Sequence, residues 1–146
     1  MTLDPCATPR QQAVDIMIDL ARLTRSHRIA VAGSESVQIH RHLHRRGFAR
    51  CSIVGSGVQF GRYSAALIAG DRSHQALEAS LARVSPLLDA TASVVVSIDS
   101  EEKGLSLRVR TRLDQLRFRI EAGVRCQQAF LLSAYRCNVA SIAKAA

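Results

Sequence analysis

Three histidines alternate within one short basic segment, and their spacing could support metal chelation. The segment contains His40, His42 and His44. On a helix, His40 and His44 share one face four residues apart, and two imidazoles so placed can ligate a transition metal. Arginines flank the pair and no carboxylate stands among them, so the local charge would repel a dication. We therefore expect a solvated basic helix face and no metal site.

The four cysteines, Cys6, Cys51, Cys126 and Cys137, are far apart in the chain. No pair has the short spacing typical of zinc knuckles or redox motifs. Cys51 lies in an apolar, strand-like run, which indicates a small core residue rather than a nucleophile. We expect reduced thiols with no disulfide.

A second set of candidate residues follows the predicted strands. Ligands of open α/β sheets bind beyond the carboxyl ends of strands, near the point where strand order reverses. Free N–H groups at the helix start after Ser34 could hold a phosphate, although Glu35 would oppose it. Asp71 and His74 could line a pocket. The candidates are Gly33, Ser34, Glu35 and Ser36; Gly55, Ser56 and Gly57; Gly70, Asp71 and Arg72; and Asp99 with Ser100.

The chain is basic, with 20 Lys and Arg against 12 Asp and Glu and a formal net charge of +8. Such a field attracts anionic partners. Many of the arginines lie after Leu105, in a segment predicted to be a helix, and Arg108, Arg112 and Arg119 form a candidate basic interaction surface. Aromatic residues make up 4% of the chain and tryptophan is absent, which disfavours binding of single strands by stacking.

Hydrophobic patterning predicts the elements that must position these residues. A first helix runs from about Pro9 to Ser26, a second from Ser34 to Arg46, and a third begins at Ser73. A long helix after Leu105 is expected to end at Gly123. Short apolar runs predict strands at 28–33, 50–54, 64–69, 92–98 and 127–135.

Strands that alternate with amphipathic helices indicate a parallel α/β sheet. Each strand is apolar on both faces, as burial between two helical layers requires. We predict a three-layer, Rossmann-like α/β domain over residues 1–146, with a mainly parallel sheet of about five strands and helices on both faces. Residues 1–27 would hold the N-terminal helix, and 138–146 a flexible tail.

No apolar run approaches the roughly 20 residues of a membrane span. The first ten residues lack the apolar core of a secretory signal. A cytoplasmic location is the expectation.

The order of elements resembles that of class I S-adenosylmethionine-dependent methyltransferases. The resemblance covers nearly the whole chain and rests on element order. It implies a Rossmann-like fold with a cofactor site at Gly33–Ser36, Ser56, Asp71 and Arg72. Three segments bear it: 28–36 with the helix up to Phe48; 63–70 with the Leu77/Leu81 helix, Pro86 and the Val94–Val96 strand; and 113–122 with Gly123 and the strand up to Arg136.

The cofactor motifs of that family are incomplete here. Gly33 is present in the turn after the first strand, but Glu35 and Ser36 stand where glycine is typical. The family places an acidic residue after the second strand to hold the ribose hydroxyls, and Gly55 to Gly57 offer none. One strand–helix unit is missing between residues 55 and 63. We therefore expect no cofactor.

Together these features favour a non-catalytic, methyltransferase-like domain that acts in protein interaction or regulation, with a protein partner or as a homodimer. One alternative is a small methyltransferase that binds S-adenosylmethionine at Gly33–Ser36, with Asp71 near the transferred methyl group. A second is a basic nucleic-acid-associated domain built on the Arg108–Arg119 helix.

Overall fold

The computed structural model describes residues 9–55, 62–98, 104–126 and 129–136. Four helices, one 3₁₀ turn and six strands alternate along these ranges. In chain order they are α1 (Pro9–Ala21), β1 (Ile29–Ala32), α2 (Ser36–Arg45), β2 (Cys51–Ile53), β3 (Tyr63–Ile68), α3 (His74–Val84), the 3₁₀ turn (Ser85–Leu87), β4 (Leu88–Ile98), α4 (Leu105–Gln115), β5 (Phe118–Cys126) and β6 (Ala129–Arg136).

All six strands form one sheet in the order β2-β1-β3-β4-β6-β5. β1 pairs in parallel with β2 and β3, and β3 pairs in parallel with β4. β6 is antiparallel to both β4 and β5. Parallel neighbours need crossover connections, which the helices supply. The predicted fold class, a mainly parallel Rossmann-like α/β sheet, is confirmed, with six strands rather than about five.

The additional strand comes from the segment after Leu105, where the prediction of one long helix is wrong. The helix ends at Gln115, and Arg117 then adopts a positive φ of 70°, which turns the chain into β5. Gly123, predicted to end the helix, lies inside β5. Phe118 and Ile120 pack against the core while Arg119 is exposed, so this stretch follows the two-residue period of a strand.

Helices cover both faces of the sheet, as predicted. On one face α3 and α4 contribute Leu77, Leu81 and Leu113 to a core that includes the central strands. On the other face α1 and α2 contribute Met17 and Leu43 to a second core. No helix within the described ranges is long and apolar enough to cross a membrane.

Local sequence and backbone conformation determine where the helices begin and end. Ser73 caps α3 as expected, because its Oγ accepts a hydrogen bond from Ala76 N at 3.2 Å. α1 ends at Ala21 rather than Ser26, since Arg22 adopts a φ of 53°. α2 begins at Ser36 rather than at Ser34.

Several predictions fall outside the described residues. They concern Cys6, Ser56, Gly57, Asp99 and Ser100, and also Cys137 and the tail 138–146.

A buried carboxylate joins α1 to α2. Asp15 is 7% exposed, and its Oδ1 lies 2.9 Å from His42 Nε2. Arg46 donates to the same oxygen through Nη1. One carboxylate on α1 thus holds two cationic or polar groups at the end of α2.

Replacing this carboxylate tests its contribution to stability. In Asp15→Asn the negative charge that receives both donors is lost while the volume is kept, so the free energy of unfolding should fall by about 2 kcal/mol. Urea denaturation followed by circular dichroism measures it. Asp19→Asn, on an exposed position of the same helix, should change stability by less than about 0.5 kcal/mol. Equal effects of the two substitutions would contradict the assignment.

Candidate functional site

The strand order reverses between β1 and β3. The chain leaves β1 for β2 on one side and later returns to β3 on the other. In open α/β sheets, ligands bind in the crevice that forms at this point, outside the carboxyl ends of the strands. Two of the predicted segments lie here, the β1 turn (residues 33–35) and the β3 turn (residues 69–71).

The two turns are in direct contact. Ala69 N donates to Ala32 O at 3.2 Å, and Glu35 N donates to Ala69 O at 3.3 Å. Beyond these, the Ser34 hydroxyl donates to Gly70 O at 2.6 Å. The two chain segments therefore remain hydrogen-bonded past the ends of their strands, where a ligand crevice is expected.

Two glycines make this contact possible. Gly33 has a φ of +99°, and a Cβ there would lie 2.1 Å from Ala69 O. Gly70 has a φ of +94°, and a Cβ there would lie 2.4 Å from Ser34 Oγ. Residues other than glycine rarely adopt such φ values. In addition, neither position has room for a methyl group. The close backbone approach at Gly33 is made to the neighbouring turn of the same chain.

The helix start after the β1 turn is partly used by the protein itself. Ser36 N donates to Gly33 O at 3.2 Å, and Glu35 N is directed to Ala69 O. Glu35 adds a carboxylate at this point, and no side chain caps the helix. The N–H groups predicted to attract a phosphate thus include two that bind carbonyl groups of the chain.

Asp71 is fixed by α3. It is 7% exposed, and its Oδ2 accepts a hydrogen bond from Ser80 Oγ at 2.7 Å. His74, predicted to share a pocket with Asp71, has its Nδ1 3.0 Å from Arg108 Nη1. Arg72 is exposed. Asp71 and His74 are therefore engaged with side chains of α3 and α4.

The predicted basic surface does not lie on one helix. Arg108 and Arg112 are on α4, four residues apart, whereas Arg119 is on β5. Phe118 and Ile120 face the core under α4, so Arg119 between them points to the opposite face of the sheet. Because the chain turns at Arg117, Arg119 is separated from Arg108 and Arg112.

Sequence analysis did not bring Cys51 together with the histidines of α2. Three potential metal-ligand atoms lie within 4.8 Å of one another: a ring nitrogen of His40, a ring nitrogen of His44 and the Sγ of Cys51. Cys51 is buried, and burial raises the pKa of its thiol, which donates to Phe48 O at 3.2 Å. The available signal was a cysteine opening the strand that directly follows a histidine-rich helix.

Comparison with known proteins gives structural neighbours alone. No protein-family model matches the sequence, and none of the curated proteins is significantly similar to it.

Among solved structures, precorrin-6y C5,15-methyltransferase from Geobacter metallireducens GS-15 superimposes with a TM-score of 0.62 at 12% identity, covering 92% of this chain and 93% of that one. Magnesium protoporphyrin IX methyltransferase from Synechocystis PCC 6803, solved with bound S-adenosylmethionine, gives 0.58 at 13% identity, covering 88% and 80%. A Streptococcus thermophilus protein described as a hemolysin gives 0.68 at 10% identity, covering 94% and 69%.

Many of the structural neighbours are methyltransferases, among them an S-adenosylmethionine-dependent methyltransferase from Aquifex aeolicus and an N-methyltransferase from Bradyrhizobium japonicum WM9. The chain therefore has the class I methyltransferase-like Rossmann fold. At sequence identities of 9–13%, this structural likeness establishes the fold alone.

Substitution of Gly33 tests the contact between the turns. Gly33→Ala places a methyl group against Ala69 O and forces alanine to a positive φ, so the free energy of unfolding should fall by more than about 2 kcal/mol. Gly55→Ala is the matched control, because a Cβ at Gly55 meets nothing within 4 Å. Thermal denaturation measures both variants. Equal stability of Gly33→Ala and Gly55→Ala would contradict the close packing.

Proposed function

We propose that this chain is a non-catalytic, methyltransferase-like domain that acts through protein interaction. The observation that supports this proposal most directly is the contact between the β1 and β3 turns. A ligand entering between these turns would have to break the hydrogen bond of Ser34 to Gly70 and that of Glu35 to Ala69. A Cβ added at Gly33 or Gly70 would clash with the facing turn, so the two turns pack tightly against each other.

The lack of acidic residues near the second strand also supports a domain that binds no cofactor. No Asp or Glu occurs anywhere from Ser36 to Gly70, the stretch that contains β2 and the segment after it. A carboxylate at the end of the second strand is what the fold family uses to hold the ribose hydroxyls of its cofactor. Without it, a nucleoside would lack its main polar anchor at this edge of the sheet.

The burial and hydrogen bonding of Asp71 favour a structural role for this residue over a catalytic one. It is the first acidic residue after Glu35, and it lies where the alternative hypothesis needs a group near the transferred methyl. Its hydrogen bond to Ser80 ties the β3 turn to α3 in the buried interior. Such a carboxylate stabilises the turn and is poorly placed to meet a substrate.

The edge at β2 supports the interaction role. β2 has three residues, and among the described residues only β1 pairs with it. Ile53 on this strand is 37% exposed and Val37 on the adjacent α2 is 53% exposed. An edge strand offers unpaired N–H and C=O groups to another chain. We propose that a partner protein or a second copy of the chain docks at this edge.

Isothermal titration calorimetry with S-adenosylmethionine and with its demethylated product tests the absence of cofactor binding. We expect no saturable heat, which corresponds to a dissociation constant weaker than about 1 mM. Micromolar binding of either compound would overturn the non-catalytic proposal and favour the small methyltransferase.

Native mass spectrometry of the protein purified from its own host tests the interaction. We expect a complex with a second copy or with another protein, and no retained nucleoside. Ile53→Arg should dissociate it, because a charge at the edge opposes strand pairing. The matched control, Leu107→Arg, changes a residue that is 68% exposed on α4 and should leave the complex intact. A monomer, or equal behaviour of the two variants, would contradict docking at β2.

A further inference from the structure

We propose that His40, His44 and Cys51 bind a transition-metal ion of the zinc type. The site is formed by the second half of α2 and the first residue of β2. It uses none of the residues on which the proposed function rests.

The spacing of the three side chains suits a small coordination sphere. Their ligand atoms lie within 4.8 Å of one another. Zinc binds thiolate at about 2.3 Å and imidazole at about 2.0–2.1 Å, which places neighbouring ligand atoms of a tetrahedron about 3.3–3.6 Å apart. Side-chain rotations that bring the ligand atoms about 1.2–1.5 Å closer together would close this difference, and His44 is exposed and free of core packing.

The fold orients the ligands before any metal enters. His40 and His44 are one helical turn apart, with ring centroids separated by 4.7 Å. His40 Nε2 lies 3.1 Å from the backbone oxygen of Cys51, which holds the ring against β2. Ligating histidines commonly donate their other ring N–H to a backbone carbonyl. In the tautomer that donates from Nε2 to this carbonyl, Nδ1 carries the lone pair for a metal.

The ligand set selects the class of ion. Two imidazoles and one thiolate suit zinc and other borderline or soft metals, whereas magnesium and calcium prefer oxygen ligands. On binding, the S–H bond of Cys51 breaks, its proton goes to solvent, and the thiolate electron pair forms the metal–sulfur bond. Three protein ligands leave a fourth position for water on the exposed side of His44.

The structure removes part of the electrostatic objection raised by the sequence. Arginines surround the histidines along the chain, but Arg46 and His42 are directed to Asp15 on α1. Nη1 of Arg46 and Nε2 of His42 are therefore paired with a buried carboxylate. The thiolate adds a negative charge at the metal, and the remaining arginines of the helix, Arg41 and Arg45, are exposed to screening by solvent.

The test uses full-length protein freed of any affinity tag and titrated with Co²⁺ under reducing conditions. We expect one Co²⁺ per chain, a thiolate-to-cobalt charge-transfer band in the near ultraviolet, and displacement of that band by one equivalent of Zn²⁺. His44→Gln should weaken the cobalt affinity at least about tenfold. Cys51→Ser should abolish the band.

Cys126→Ser is the matched control, because Cys126 is a free thiol outside the cluster, and it should keep the band. Circular dichroism verifies that each variant is folded. Since His44 is exposed, His44→Gln decides the question if Cys51→Ser does not fold. A folded wild-type protein without the band, or a band unchanged in His44→Gln or Cys51→Ser, would overturn the proposal.

Discussion

The close approach of Gly33 to Ala69 is the constraint on which the rest of the structure depends. The neighbouring strands β1 and β3 continue their hydrogen bonding past their ends because a residue without a side chain follows β1. Ser34 then reaches Gly70, and the start of α2 is fixed relative to the β3 turn. A sheet of this type normally has a crevice at its switch point. Here the two turns at that point are hydrogen-bonded to each other.

The same contact explains why a glycine after β1 does not imply a cofactor. A glycine in that turn can provide a positive φ, a close approach to a ligand, or both. At Gly33 the positive φ is present, but the close approach is to a carbonyl of the same chain. Glu35 and Ser36 carry side chains where the family's motif has glycine, and Glu35 N is directed to Ala69 O. The contact between the turns thus accounts for Gly33 without the remaining glycines of the motif.

The sequence predicted the parallel centre of the sheet well, because β1, β3 and β4 are apolar on both faces and cannot be amphipathic helices. It failed at β5, where Leu116 and Ile120 fit a helical spacing while Phe118 and Ile120 fit a strand. The pairing of β5 with β6 decides between these alternatives, and that contact is not local. The Ser34–Gly70 bond joins residues 36 positions apart, and the proximity of Cys51 to His40 joins α2 to the strand that follows it. No pattern within one element could have revealed either contact.

Helix α2 connects the β1 turn to the edge strand β2. Its start is held by the β1 turn, its centre is anchored by Ile39 and Leu43 in the core, and its end is held by Asp15. A helix restrained at three points presents its outer residues in a fixed geometry, which favours recognition over conformational change. At the switch point the β1 and β3 turns are hydrogen-bonded to each other. At the other end of α2, the edge formed by α2 and β2 exposes His44, Val37 and Ile53 in a fixed arrangement, which suits recognition of another molecule.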